Sequence, residues 1–423
     1  MMSKIFLKEV LLFMTEMIFA EANGRVIPIE DKIFGISNRA KAMMAERGKD
    51  RVINATIGAL LDDDGNLIVL SSVDKVFRML TPEEYAAYAP IGGIPEFKEA
   101  VKKDMFRDFK PKSFTEAVAT PGGTGAIRNV VSNYSNYGDK VLTTDWHWAP
   151  YGTIMSEQGR SLETFQLFTE EGGFNHFSLK EKMYEIFKLQ DRLIIILNTP
   201  SHNPTGYALN KQEWKLVIDM LNNIPSDKKV TLLIDAAYSD FAGEESEARD
   251  YLPLIEELND NVLPIIAHSL SKSYTLYGLR TGAMICMAKT KEVAEEFKRA
   301  CEFSSRASWS NCARAGQAIL SKIYADPELL QMVMEERKTY RDMLIKRGET
   351  FMEEAKKVGL KTLPFRSGFF ITIPCSNPEE VASKLEEQGI FIVPLAKGLR
   401  VSGASISIEA CRKLPAAIKA LIK

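Results

Sequence analysis

Between residues 95 and 290 the chain alternates short apolar runs with amphipathic stretches, and nothing else in it constrains the fold as strongly. The runs are 116–120, 140–144, 193–197, 230–234, 263–268 and 283–287. All but the second carry three or more consecutive apolar residues, as strands buried on both faces require. Amphipathic stretches lie before the first run, at 95–109, and between later ones, at 127–137 and 211–222. Strand and helix repeated in this way predict an α/β fold: a three-layer, mostly parallel sheet with helices on both faces. Ligands of such sheets sit beyond the carboxyl ends of the strands. A long charged helix is predicted over 327–358, followed by short strands at 368–373, 390–393 and 400–402 and two helices. That change of pattern predicts a second, smaller α+β domain, in keeping with 423 residues being too many for one ordinary core.

Charge and cysteine usage exclude several classes. A net charge of −2 gives no electrostatic case for nucleic acid or an acidic membrane surface. The cysteines Cys286, Cys301, Cys312, Cys375 and Cys411 are scattered and odd in number, which argues against a disulfide framework or a zinc site and for a reducing, cytoplasmic setting. His147, His176, His202 and His268 have no metal-ligand spacing, so no metal is expected. Residues 5–20 are apolar but broken by Lys8, Glu9 and Glu16, which fits an amphipathic arm better than a signal peptide or a membrane span.

Four motifs fall at the ends of predicted strands. Pro121-Gly122-Gly123-Thr124-Gly125-Ala126 opens a helix, where free N–H groups and the helix dipole favour an anion, although a tight turn is an equal reading. Asn198-Thr199-Pro200-Ser201-His202-Asn203-Pro204-Thr205-Gly206 brings side-chain donors to one place, or is plain loop chemistry. Leu232-Leu233-Ile234-Asp235 closes an apolar strand with an acid, which is costly to bury without a cationic partner; a helix cap is the competing reading. Ser269-Leu270-Ser271-Lys272 places an amine where burial and Arg280, eight positions on, lower its pKa toward that of a nucleophile.

With these motifs the sequence resembles fold type I pyridoxal-phosphate-dependent enzymes, specifically the aspartate/aromatic aminotransferase group. Segments 54–59 and 62–65, Tyr88 to Phe97, Ser269-x-Ser-Lys272 with Arg280, and Gly398-Leu399-Arg400-Val401 carry the likeness, which runs from about Ile29 to the C-terminus. The resemblance implies the cofactor pyridoxal 5'-phosphate, held by Lys272 as a Schiff base. It implies that Asp235 pairs with the ring nitrogen and that Asn203 and Tyr238 bond the ring oxygen. Gly123, Thr124, Ser269 and Arg280 are expected to hold the phosphate, Trp148 to stack on the ring, and Tyr88 to reach in from a partner subunit. Arg400 is expected on the substrate α-carboxylate, with Gly58, Asn203 and Trp148 beside it. Arg306, from the other subunit, is expected on a distal carboxylate.

The implied division is an N-terminal arm at 1–30, a discontinuous small domain at 31–67 and 340–423, and a large domain at 68–339. The implied activity moves an amino group from aspartate or an aromatic amino acid to 2-oxoglutarate, in a homodimer with shared sites. A β-lyase on the same fold is an alternative, as is an effector-sensing module of a transcription regulator. The regulator reading requires an added basic helix-turn-helix segment, and no basic cluster precedes the matched region.

Overall fold

The structure, a computed structural model, describes residues 18–21, 31–243 and 247–422; the expected N-terminal arm lies outside these save for four residues. The first strand, β1 (Ile53–Asn54), is followed by β2 (Phe114–Thr120), β3 (Lys140–Thr144), β4 (Ser161–Phe165), β5 (Arg192–Asn198), β6 (Lys229–Asp235), β7 (Val262–Ser269) and β8 (Gly282–Ala288). Strands β2 to β8 form one seven-stranded sheet in the order β2-β8-β7-β6-β5-β3-β4. Only β8 runs against its neighbours, pairing antiparallel with β2 and β7. The mostly parallel sheet of the sequence reading is therefore present, and each of the six apolar runs lies in one of its strands. β4 escaped that reading because it is an edge strand, Ser-Leu-Glu-Thr-Phe, with one face toward water and no apolar run.

Helices cover both faces. Gly122–Tyr134 and Lys291–Ser308 pack on one core, which includes Val118, Ile194, Ile196, Leu233, Ile265 and Met284. Pro95–Phe106, His176–Phe187 and Lys211–Asn222 pack on the other, against Leu193, Ile195, Leu232, Ile234 and Ile266. Alternate residues of each central strand thus enter opposite cores, which explains why these strands read as unbroken apolar runs.

The 31-residue helix Pro327–Lys357 starts on the second of these cores and ends on a third. There β9 (Phe370–Pro374), β10 (Ile390–Phe391), β11 (Val393–Leu395) and β12 (Gly398–Ser402) gather two small sheets: β11-β12-β9, antiparallel, and β1-β10, parallel. Strand β1 thus joins the C-terminal part of the chain although it comes at the start. Helix Pro378–Glu387 packs on these strands and helix Ile408–Leu421 lies against it and the long helix, and together they bury Val381, Leu385, Cys411, Leu414 and Ile418 in the third core, while helix Lys32–Arg47 packs Ile36 and Ala40 on Phe391 of β10. All five cysteines are buried and unpaired. Among the described residues, no helix is long and apolar enough to cross a membrane.

Candidate active site

The carboxyl ends of β2, β5, β6 and β7 converge, and the four motifs meet there. The turn Leu270–Ser273 directly follows β7 and carries Lys272. Its amine lies 4.8 Å from the Tyr277 ring centre and 5.9 Å from that of Tyr238. Burial, then the guanidiniums of Arg280 and Arg400, bring this amine down to about 8. Each of these effects disfavours the ammonium form, so the amine is poised to give up its proton near neutrality.

Asp235 ends β6 and is buried. Its Oδ2 accepts a hydrogen bond from the Tyr151 hydroxyl at 2.6 Å. Burial raises its pKa, and the Tyr151 hydrogen bond, a backbone N–H from Ala237 and the field of Lys272 oppose the rise. Tyr151 is fully buried on the helix Pro150–Glu157, with the Trp148 ring edge-on at 5.5 Å. Neither residue's bond could be foreseen, since Asp235 and Tyr151 lie far apart in the chain; the only sequence signal was an aromatic three positions beyond Trp148.

Asn198, at the end of β5, acts as a bracket. Its Nδ2 donates to the Asp235 carbonyl at 2.8 Å, and its Oδ1 accepts the Asn203 backbone N–H at 2.6 Å. Asn203 is thereby set beside Tyr238, donating to that hydroxyl at 3.4 Å, while its Oδ1 faces Arg400 Nη1 at 3.4 Å. Arg400, on β12, is buried and donates from Nη2 to the Thr56 carbonyl at 2.8 Å. Its guanidinium stands 4.5 Å over the Phe370 ring, and its Nε has no partner. Burial lowers its pKa to about 10. The Phe370 ring also explains Gly58: a Cβ there would sit 2.6 Å from the ring edge.

The helix Gly122–Tyr134 begins at the end of β2 with Gly123 and Thr124 in its first turn. Gly122 has φ +72°, and a Cβ on it would lie 2.7 Å from Arg280 Nη2, so this glycine is what lets the guanidinium reach the helix start. Gly123 faces Ser269 across the same cradle. Arg280 is fixed by its Nη1, which donates to Ser271 Oγ at 3.2 Å and to the Tyr277 carbonyl at 3.1 Å. Tyr277 in turn accepts the Leu60 N–H at 2.9 Å, which ties the cradle to the segment that carries Gly58.

Three charges of this cluster, Asp235, Arg280 and Arg400, form no ion pair among the described residues. Two buried or cradled cations and one buried anion with no direct ion-pair partner match a ligand bearing a protonated ring nitrogen, a phosphate and a carboxylate nearby. Pyridoxal phosphate carrying an amino acid has this set of groups.

Two expected residues are not brought to the cluster within the chain. Tyr88 is 88% exposed, and Arg306, at the end of the helix Lys291–Ser308, is exposed with its Nη1 donating to Ser310 Oγ at 2.6 Å. The segments that carry them touch: a Cβ on Gly92, in the turn after Tyr88, would meet Glu302, in the last turns of the helix that carries Arg306.

The fold and the cofactor requirement define a pyridoxal-phosphate-dependent enzyme of fold type I. Residues 50–418 match the family model described as aminotransferase class I and II. The chain belongs to this family of pyridoxal-phosphate-dependent transferases. It is 28% identical over 371 residues to the aromatic-amino-acid aminotransferase of Paracoccus denitrificans, covering 86% of this chain and 91% of that one. To the mitochondrial aspartate aminotransferase of Xenopus tropicalis it is 24% identical over 389 residues, covering 89% and 87%. A solved aminotransferase from Anaerococcus prevotii superposes with a TM-score of 0.93 at 36% identity, over 96% of this chain and all of that one. The chain is thus an aminotransferase acting on amino acids and oxo acids.

Proposed function

We propose that this aminotransferase takes the amino group of aspartate or an aromatic amino acid and delivers it to 2-oxoglutarate, in the cytoplasm, as a homodimer. The observation that carries the reading is a single amine, Lys272, with its pKa brought to about 8 beside a buried acid and two unpaired guanidiniums. Pyridoxal 5'-phosphate, when bound, supplies an aldehyde that links to amines and a ring that accepts electrons from Cα.

The chain's own groups do the rest. Asp235, steadied by Tyr151, holds a proton on the ring nitrogen. Asn203 and Tyr238 donate to the ring oxygen, and Trp148 covers one ring face. The first-turn N–H groups of Gly123 and Thr124, with Ser269 and Arg280, hold the phosphate. Lys272, its amine freed, would be the base that takes the proton from the substrate Cα. Arg400 grips the α-carboxylate with two parallel N–H donors, so that Cα–H points at Lys272, and Gly58 leaves room for that grip.

Tyr88 and Arg306, both exposed, are assigned to the active site of a second copy, where Arg306 meets the distal carboxylate of aspartate, glutamate or 2-oxoglutarate. Leu60-Leu61 stands where the resembled group has a more polar pair, and the buried Leu60 packs with Tyr238 and Phe370, an apolar setting that favours aromatic donors as well. A large unit at 68–339 and a small one at 31–67 with 340–423 are supported by distinct cores around the seven-stranded sheet and around β9 and β12, with a smaller cluster of Leu60, Phe369 and Phe370 against Tyr238 and Phe241 where the two meet.

A half-reaction screen tests this: the holoenzyme is mixed with each amino acid, and the change in cofactor absorbance is followed. Aspartate or an aromatic donor should react fastest. Arg306→Ala should weaken acidic substrates about tenfold or more while sparing aromatic ones, as loss of a charge-assisted pair requires. Equal losses for both classes would refute the assignment of Arg306.

A further inference from the structure

Behind the site lies a buried charge cluster with no place in the roles above. Asp104, at the end of the helix Pro95–Phe106, is fully buried. Its Oδ2 accepts from His268 Nε2 at 2.7 Å, and its Oδ1 accepts from the hydroxyls of Tyr274 at 2.9 Å and Tyr324 at 2.7 Å. Arg107 Nη1 lies 2.8 Å from the same oxygen and Arg337 Nη1 3.4 Å. Asp240, also buried, pairs with Arg249 at 2.7 Å and Arg107 at 3.0 Å. Burial opposes the charge on Asp104, yet Arg107 and Arg337 hold its carboxyl well below the usual range.

Charges buried in such numbers seldom add net stability over apolar packing of the same volume, so their placement asks for another reason. The contacts supply one. His268 immediately precedes Ser269, and Tyr274 follows Lys272 by two. Arg337, from the long helix Pro327–Lys357, donates from Nε to the Ser273 carbonyl at 2.7 Å and lies 4.0 Å over the Tyr274 ring. One carboxylate and one guanidinium therefore grip the chain on both sides of Lys272. The turn that carries Lys272 is four residues long, too short to hold its own shape. Asp240 extends the grip to the turn after Tyr238, two residues upstream.

We propose that Asp104 and Arg337 are positioning residues that fix the Lys272 amine from behind. This rests on the role given to Lys272 above. The test uses Arg337→Lys, which keeps the charge but loses the forked donor, and Tyr274→Phe as a gentler variant in case the first does not fold. The apo-protein of each is mixed with pyridoxal 5'-phosphate, and the adduct on Lys272 is trapped with borohydride at timed intervals and counted by mass, per folded molecule.

Capture should slow about tenfold in Arg337→Lys and less in Tyr274→Phe, because displacement of a reacting group by about 1 Å costs up to about a hundredfold. The isotope effect with Cα-deuterated donor, measured per titrated active site, should rise, since a displaced amine slows proton transfer itself. A merely structural role would lower the number of folded sites and leave both quantities unchanged. Capture within twofold of the unmodified rate in both variants would overturn the proposal. Absence of any Lys272 adduct in the unmodified protein would instead sink the role of Lys272, and the two failures are thus distinct.

Discussion

Replacing Tyr151 by Phe removes one oxygen and keeps the ring that packs edge-on to Trp148. That oxygen donates to Asp235 at 2.6 Å, with both residues buried. A hydrogen bond to an ionised acceptor contributes about 1.5–3 kcal/mol. Burial raises the Asp235 carboxyl, and the Tyr151 bond is the strongest influence against it. Without that bond the carboxylate form loses this amount, and the proton on the ring nitrogen is held less firmly. At about 1.4 kcal/mol per tenfold, kcat should fall about 10- to 100-fold. The donor KM should stay within about threefold, since no substrate contact is lost.

Stability follows the same bond. A carboxyl whose folded pKa lies above its unfolded one contributes fully below the unfolded pKa, and that contribution disappears as pH rises through the folded value. Tyr151→Phe lifts the folded pKa further. The apo-protein should therefore lose about 1.5–3 kcal/mol near pH 8 and much less toward pH 4. Stopped-flow half-reactions and urea unfolding at the two pH values measure both effects. A kcat within twofold of the unmodified enzyme, or equal stability losses at both pH values, would refute the reasoning.

Lys272→Met should stabilise the apo-protein by about 1–3 kcal/mol near pH 7, because the ammonium is disfavoured by burial and by Arg280 and Arg400. Its folded pKa of about 8 lies below the unfolded value, so the cost is complete below 8 and is relieved as pH rises toward about 10.4; the gain should vanish there in thermal melts. Gly122→Ala places a Cβ 2.7 Å from Arg280 Nη2 at φ +72°, so the guanidinium must move. The Kd for pyridoxal 5'-phosphate, from fluorescence titration, should rise about tenfold, as loss of one charge-assisted contact implies; an unchanged Kd would remove Arg280 from the phosphate site.

The sequence alone was informative where physics is local. Strands β5 to β8 were legible because both their faces are buried and only unbroken apolar runs survive there. The long helix was legible because its period persists over 31 residues. Lys272, Asp235 and the glycines at 122 and 123 stood out because an amine, an acid or a bare backbone at the end of an apolar strand is expensive unless it has a use. Strand β4 did not, since an edge strand needs only half a pattern. Nor did the direction of β8, which depends on how the chain returns to the sheet rather than on what the strand contains.

What tertiary structure alone decided are the partners. Tyr151 reaches Asp235 across 84 residues, Arg400 reaches the Thr56 carbonyl across 344, and Arg337 reaches Asp104 across 233. Such bonds leave no periodic trace, because each is set by the packing of two elements whose own patterns are complete without it. The sequence thus determined most of the elements and singled out the residues proposed to bear chemistry; only packing determined which distant group stands beside each.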